Sequence, residues 1–430
     1  MSKVTLLRLD IETHAPWRIA APETASVIDL PVATDGAGGF FAPATSIAGS
    51  LRSHLARSAR TPGGPTMAVE MLGSDRPVGG RGEGAPITPS ALRILGTSVR
   101  VADPGRRQTA QTAMNRHRAA AEAKSLRLGE VLPSGSTVSV YAEYDGELDP
   151  VATNALADWV PEIGGGRSIG LGACALTGIA FEVLDLTTAP GLERWLGLDG
   201  PPGFSNLQTE ITPTGRRRAP LFDIEVEIVD GLRTGAGAEG NRLLMNRIDG
   251  EPVIDGSSLK GIFRSRCEFI ARSIGCADAC DEALSEGGAG ATGDGDTAPE
   301  PGAIARLFGT RDRRGLIGFE QAVISNAECE FRPHVAVDRF TRGAASGLLF
   351  EEEVVVRGRF RIVIRPLVDA VPPWASDLLA QVLRDLDEGW VGIGSGTARG
   401  QGTIRIVDRS DWVPPASLAP ETLAALGRQS

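Results

Sequence analysis

Residues 254–264 read Ile254-Asp-Gly-Ser-Ser-Leu-Lys-Gly-Ile-Phe-Arg264, and residues 42–52 read Ala42-Pro-Ala-Thr-Ser-Ile-Ala-Gly-Ser-Leu-Arg52. In each, a turn of small residues runs into an apolar pattern of helical period, over Leu259–Ile274 and Leu51–Ala59. Working outward from these anchors, the chain repeats itself. An alternating run precedes each, Val4–Thr13 and Leu221–Val229, with the period of a half-buried strand. After them, Glu70-Met-Leu-Gly73 answers Arg306-Leu-Phe-Gly309, and strand-like segments follow at Ala85–Leu95 and Gly315–Ile324. Asn115-Arg116 with Ala119–Ala121 parallels Asp338-Arg339 with Gly343–Ala345. Alternating strands then run over Glu130–Glu143 and Glu351–Ile364, and a helix leads to Trp159 or Trp390. Finally Gly164-Gly-Gly-Arg-Ser-Ile-Gly-Leu-Gly172 mirrors Gly394-Ser-Gly-Thr-Ala-Arg-Gly-Gln-Gly402. Correspondences in one unbroken order mark an internal duplication.

Each copy therefore reads strand, Gly-flanked turn, helix, strand, long excursion, strand, helix, Gly-rich turn, strand. That order points to an α+β fold, an antiparallel sheet with helices on one face. The expected domains are 1–205 and 216–410, joined through Gly203–Arg218, with a partly loose tail at 411–430. Ser285–Gly302, rich in Gly, Ala, Asp, Thr and Pro, reads as a loop inside the second copy.

With 430 residues, 42% hydrophobic and 23% charged, the chain can bury a core in each copy. No apolar run reaches the roughly 18 residues of a membrane span, and Met1–Asp10 lacks the basic-then-apolar order of a signal peptide. Five cysteines, an odd number unevenly spaced, suit a reducing compartment, so the expected location is cytoplasmic, with no membrane partner. A formal charge of −10 weighs against a free-standing RNA binder, although basic residues cluster at Arg216–Arg218, Lys260–Arg272 and Arg306–Arg314.

In the 256–264 stretch, helix-initial N–H groups and the hydroxyls of Ser257 and Ser258 can face an anion, and Lys260 and Arg264 share one helix face. The ordinary alternative is a serine N-cap with a solvated basic face. The glycine-rich turns lack the GxGxxG spacing, precede a strand where a dinucleotide fold needs a helix, and carry Arg167 and Arg399. They allow a close backbone approach to RNA, or simply a tight turn. No phosphate-binding loop of nucleotide triphosphatases is present, and His14, His54, His117 and His334 form no catalytic pattern. Cys267, Cys276 and Cys280, with Asp281 adjacent, could hold zinc, although CxxC pairs are missing; Cys174 and Cys329 read as buried small residues.

These residues resemble the RAMP superfamily, specifically the Cas7-type backbone subunits of type III CRISPR effectors, here as a tandem fusion. The resemblance rests on Gly256–Gly261 with Arg264, the terminal glycine turns, the Arg306–Gly309 and Gly315–Ala322 pair, and His334–Phe350, which is similar to the segment bearing the family's thumb-like hairpin. The first copy departs from the pattern: Ala44, Ile47 and Ala48 stand where Gly, Leu and Lys are expected, while Ser46 and Arg52 are present. The resemblance implies two modified ferredoxin-like, RRM-like domains with inserted thumb hairpins. It implies crRNA and target RNA as ligands, and Cas10, Cas5-like and further Cas7-like proteins as partners. In cutting members an aspartate lies a fixed distance before the Gly-Ser-Ser-Leu-Lys-Gly motif, and Asp29 fits that place. It would position a divalent metal, Mg2+ by expectation, or orient a ribose 2′-OH. In the second copy the loop Ala238–Arg242 offers only Glu239 or Asn241. The implied RNA-binding set is Ser46, Arg52, Arg167, Ser257, Ser258, Lys260, Arg264, Arg339 and Arg399. Purely structural RNA binding and guide processing stay open as alternatives.

Overall fold

The computed structural model describes residues 2–21, 28–57, 66–74, 87–102, 106–112, 114–115, 120–121, 124–280, 301–310, 313–409 and 417–427, and of residues 114–115, 120–121, 236 and 345–348 the main chain alone. The chain divides into two compact units: Met1–Ala113, Ala121–Arg167 and Leu171–Arg217 form the first, and Met114–Ala120, Ser168–Gly170 and Arg218–Ser430 the second. No helix among the described residues is long and apolar enough to cross a membrane.

The first unit opens with β1 (Lys3–Thr13), α1 (Ala44–Leu55), α2 (Met67–Leu72), β2 (Leu92–Arg100) and β3 (Arg107–Gln111). Two-residue strands β4 (Met114–Asn115) and β5 (Ala120–Ala121) follow, then β6 (Arg127–Val131), β7 (Thr137–Asp145), α3 (Pro150–Ala157), β8 (Cys174–Asp185), α4 (Ala189–Leu196) and β9 (Thr209–Ile211). Its sheet has the order β2-β7-β1-β8-β9, antiparallel throughout. One face buries Leu7, Leu9 and Ile11 with Ile47, Leu51 and Leu55 of α1 and Leu156 of α3. On α1 those buried residues recur at four-residue spacing, the stripe an amphipathic helix presents to a core. Val4 and Leu6 bury on the other face against Ala180, Leu184, Phe204 and Leu207. The start of β1 is therefore buried on both sides, where period-two reading alone expects one. The expected single strand over Glu130–Glu143 is two strands, β6 and β7, separated by the turn at Gly135, whose φ is +75°. Of the expected segments, residues 85–86, 116, 119 and 285–300 lie outside the described residues.

The second unit carries β10 (Phe222–Ile228), β11 (Gly235–Glu239), β12 (Arg242–Met245), and the short strands β13 (Arg247–Ile248) and β14 (Glu251–Ile254). Next come α5 (Gly256–Ser273), α6 (Ala303–Phe308), β15 (Ile317–Phe319) and β16 (Ala322–Val323). The long strands β17 (Ser325–Val337) and β18 (Ala344–Pro366) precede α7 (Pro373–Asp387), β19 (Ile404–Ile406) and α8 (Pro420–Ala425). Its sheet runs β11-β12-β18-β10-β19, with β15 and β17 also paired to β18. Hence β15-β18-β10-β19 repeats the order β2-β7-β1-β8 of the first unit, strand for strand in chain order. β18 does two jobs: its first part pairs β17 in a hairpin, and its last part pairs β10 and β15. On α5, Leu259, Phe263, Cys267 and Ala271 are fully buried at four-residue spacing against α7 and the sheet. Within the stretch read as a tail, α8 docks on α7: Thr422 Oγ1 donates to Asp377 Oδ2 (2.6 Å), which also accepts from Ala419 N–H (2.9 Å).

Candidate functional site

Asp29 is exposed in the loop after β1. Its Oδ2 accepts the Leu128 N–H at 2.7 Å, and Leu30 bridges Gly129 in parallel register. Two residues further on, Val32 N–H donates to the buried Glu130 Oε2 (3.0 Å), so the loop is fastened to β6 on both sides of Leu30. Asp29 is thus held by its neighbours with a carboxylate edge toward solvent, an arrangement open to a large polyanion.

The second unit has the same fastening, which fixes the correspondence residue by residue. Met245 N–H donates to Glu353 Oε2 (2.9 Å) as Val32 does to Glu130, and Leu243 pairs Glu352 in parallel as Leu30 does Gly129. By this register the counterpart of Asp29 is Arg242, not Glu239 or Asn241. Arg242 Nε donates to Glu351 Oε2 (2.6 Å), and its guanidinium lies 5.1 Å from the centre of the Phe331 ring. The charge at this place is opposite in the two units. The loop Ala238–Arg242 contains this residue, but only the pairing of β12 with β18 singles it out.

The 256–264 stretch forms the start of α5, with Asp255 at the N-cap and Ser257 and Ser258 already inside the first turn. The cap side chain is spent elsewhere: Asp255 Oδ2 accepts from Asn246 Nδ2 (2.8 Å) and Oδ1 from Gln321 Nε2 (2.9 Å), and burial pushes its carboxyl up. In the first unit Ser46 sits in the first turn of α1 behind Pro43 at the N-cap. Arg52 and Arg264 have one shared role. Arg52 Nη1 donates to Gly73 O (2.9 Å) and Nη2 to Leu72 O (2.6 Å), while Arg264 Nη1 donates to Gly309 O (2.9 Å) and Nε to Glu268 Oε1 (3.0 Å). Each arginine therefore satisfies carbonyls left over at the C-terminus of a six-residue helix, α2 or α6. Lys260 Nζ donates to Ser168 Oγ (3.1 Å), Ser168 belonging to the second unit. Burial, with the Arg264 charge four residues on, brings the Lys260 ammonium down to about 8.

The glycine-rich turns are built alike. Gly165 N–H donates to Arg18 O (3.0 Å) and Ser395 N–H to Arg233 O (2.8 Å); Gly172 N–H donates to Pro16 O (2.9 Å) and Gly402 N–H to Gly231 O (2.6 Å). Glycine is required for close approach: a Cβ on Gly164 would lie 1.9 Å from Arg18 O, and one on Gly394 2.4 Å from Arg233 O. Arg167 folds back onto its own turn, with Nη1 3.2 Å from Glu162 Oε2. Arg399, largely exposed, has Nη2 3.6 Å from Glu352 Oε2. Glu352 is fully buried and central: Arg233 Nε donates to Oε1 (2.7 Å), and Gln401 Nε2 (3.4 Å) and His334 Nε2 (3.0 Å) approach Oε2. Burial pushes this carboxyl up, but the bonds from Arg233 and Gln401 outweigh it and hold it below its ordinary value.

Arg339 lies at the tip of the β17–β18 hairpin, beside Phe340, which is 96% exposed. The turn is tied by Asp338 Oδ1, which accepts from Phe340 N–H (2.9 Å) and Thr341 N–H (2.8 Å). Of the cysteines read as a zinc set, Cys267 and Cys276 are buried in the core, and burial holds the Cys267 thiol well above its ordinary value. Asp281 lies outside the described residues, among which no group of three or more His, Cys, Asp or Glu side chains is arranged to hold a metal. Cys174 is buried as expected; Cys329 is a correction, being exposed on β17, where Arg247 Nη2 donates to its Sγ (3.3 Å).

Compared with known protein families, the chain matches the RAMP superfamily over residues 10–175 and 225–405, one stretch in each unit. No curated protein matches it.

Proposed function

The chain belongs to the RAMP superfamily, and from that premise we propose that it is a tandem Cas7-type backbone subunit of a type III CRISPR effector that cuts target RNA at Asp29. Membership implies a crRNA-binding subunit of a CRISPR effector complex. The finer reading draws support from the order β2-β7-β1-β8, repeated as β15-β18-β10-β19, which is the strand order of a ferredoxin-like fold. The β17–β18 hairpin, with Arg339 and Phe340 at its tip, suits the thumb. Ser46, Ser257, Ser258, Lys260, Arg167 and Arg399 are the residues we assign to the guide; Arg52 and Arg264 act by holding the helices behind it. Cas10, Cas5-like and further Cas7-like subunits are the proposed neighbours.

The observation that carries the catalytic reading is the contrast between Asp29, exposed and fastened by Leu128, and Arg242 at the same place in the second unit. Cutting is therefore assigned to the first unit alone. A carboxylate there can take the proton of a ribose 2′-OH as that oxygen attacks the adjacent phosphorus and the bond to the 5′-oxygen breaks. One carboxylate suits Mg2+, which keeps several waters and takes its remaining ligands from substrate phosphates. A bound Mg2+ would neutralise charge on the reacting phosphate.

The test is an assembled complex carrying Asp29→Asn, which keeps an acceptor for Leu128 N–H. Target cleavage at the matching position should fall by about 100-fold or more, with crRNA retained. Undiminished cutting would sink the nuclease reading and leave a purely structural subunit.

A further inference from the structure

Arg18 is 9% exposed, and among the described residues its guanidinium has no hydrogen-bond or ion-pair partner. A buried charge without a partner is costly, and such a group is ordinarily neutralised by pairing. Its counterpart in the second unit is Arg233: each follows an isolated bridge (Trp17 to Leu132, Leu232 to Val355), and each offers its carbonyl to a glycine-rich turn. Arg233 is equally buried but is paired with Glu352 at 2.7 Å. The register fixed above puts Gly129 where Glu352 stands. In the first unit the arginine is kept and its carboxylate is deleted.

The place left by that deletion adjoins Asp29 and is taken by the Arg18 guanidinium itself. A Cβ on Gly129 would lie 2.5 Å from Arg18 Nη1, 3.2 Å from Thr109 Oγ1 and 3.6 Å from Leu30 Cβ. Gly129 follows Leu128, whose N–H holds Asp29, and Thr109 Oγ1 donates to Gly129 O (3.3 Å). Desolvation lowers the Arg18 guanidinium from its ordinary value, with no neighbouring charge to offset it.

We infer that the Arg18 guanidinium, beside Gly129, forms an anion site that takes one phosphodiester of the RNA beside Asp29, and that Glu352 permanently fills the equivalent site of the second unit. The chemistry fits. A guanidinium matches two phosphate oxygens with a fixed fork of donors, in surroundings where the charge pair is little screened. The inference deepens the proposed function and rests on it only for the identity of the anion. With RNA bound, Arg18 sets the phosphate against the Asp29 carboxylate and stabilises charge gathering on its oxygens.

The test uses the full chain and inorganic phosphate as probe, with chloride at matched ionic strength as control. Wild type should gain thermal stability with millimolar phosphate. Arg18→Met and Gly129→Glu should melt higher than wild type without phosphate, because the lone charge is removed or paired, and should show no phosphate response. Arg18→Lys should keep part of it. In the assembled complex, Arg18→Met and Gly129→Glu should lose cutting at the position that Asp29→Asn silences. A phosphate response equal to wild type in both Arg18→Met and Gly129→Glu, or no response beyond chloride in wild type, overturns the inference. Normal cutting by Asp29→Asn alongside an Arg18-dependent phosphate response would overturn only the nuclease reading.

Discussion

Arg52 and Arg264 show how one residue can be retained in a duplicated motif for a reason other than the one its charge suggests. Each donates to the carbonyl at the end of a short helix whose stop is a glycine with positive φ, +74° at Gly73 and +87° at Gly309. Removing the charged donor strands those carbonyls, at a cost of about 1.5–3 kcal/mol. Arg52→Ala and Arg264→Ala should each lower the urea midpoint by a corresponding amount, and lysine, with one point of charge for two carbonyls, should rescue Arg52→Ala incompletely. Lys260 makes a pH-dependent prediction. Its ammonium is brought from 10.5 to about 8 in the folded chain. Below pH 8 folded and unfolded chains both carry the proton, so the cost of burying it is fully present. Between pH 8 and 10.5 the folded chain releases it first, and stability from this group rises. Lys260→Met should therefore be more stable than wild type at pH 7, by about 1–3 kcal/mol, and the gap should close above pH 10 in a series of denaturant melts. An RNA phosphate at this lysine would restore its proton, so guide binding at pH 8.5 should take up protons in wild type and not in Lys260→Met.

At the scale of elements, α5 carries the second unit. Phe263 is fully buried with its ring 5.1 Å from Phe319, and Leu259, Cys267 and Ala271 continue the stripe. Phe263→Ala should cost about 3–5 kcal/mol, read as a shift of the thermal transition. The hairpin behaves oppositely. Phe340, Val335, Val337 and Leu349 are exposed, so Phe340→Ser should leave the transition unmoved while weakening assembly with guide RNA. A fall in melting temperature comparable to that of Phe263→Ala would show that the tip is part of the fold.

For the whole molecule, the net charge of −10 sets the terms of RNA binding. Contacts to phosphate release counterions, while the chain's overall repulsion of a polyanion stays. The isolated chain should bind guide RNA weakly and with steep salt dependence, as filter binding across a salt series would report. Nanomolar affinity of the free chain at physiological salt would contradict this.

The duplication and the helices at the Gly-Ser-Ser-Leu-Lys-Gly stretch were legible in the sequence, because hydrophobic period and glycine placement are local properties of the chain, whereas Asp29 was singled out only through the family resemblance. The sequence alone also carried the family resemblance. It did not show that Arg242 answers Asp29, that Gly129 answers Glu352, or that Arg18 is a buried charge without a carboxylate. Those facts depend on which strands pair and in what register, over separations of about a hundred residues. A one-residue difference in hairpin length moves every side chain to a different neighbour, so charge complementarity inside each unit is decided by the tertiary fold.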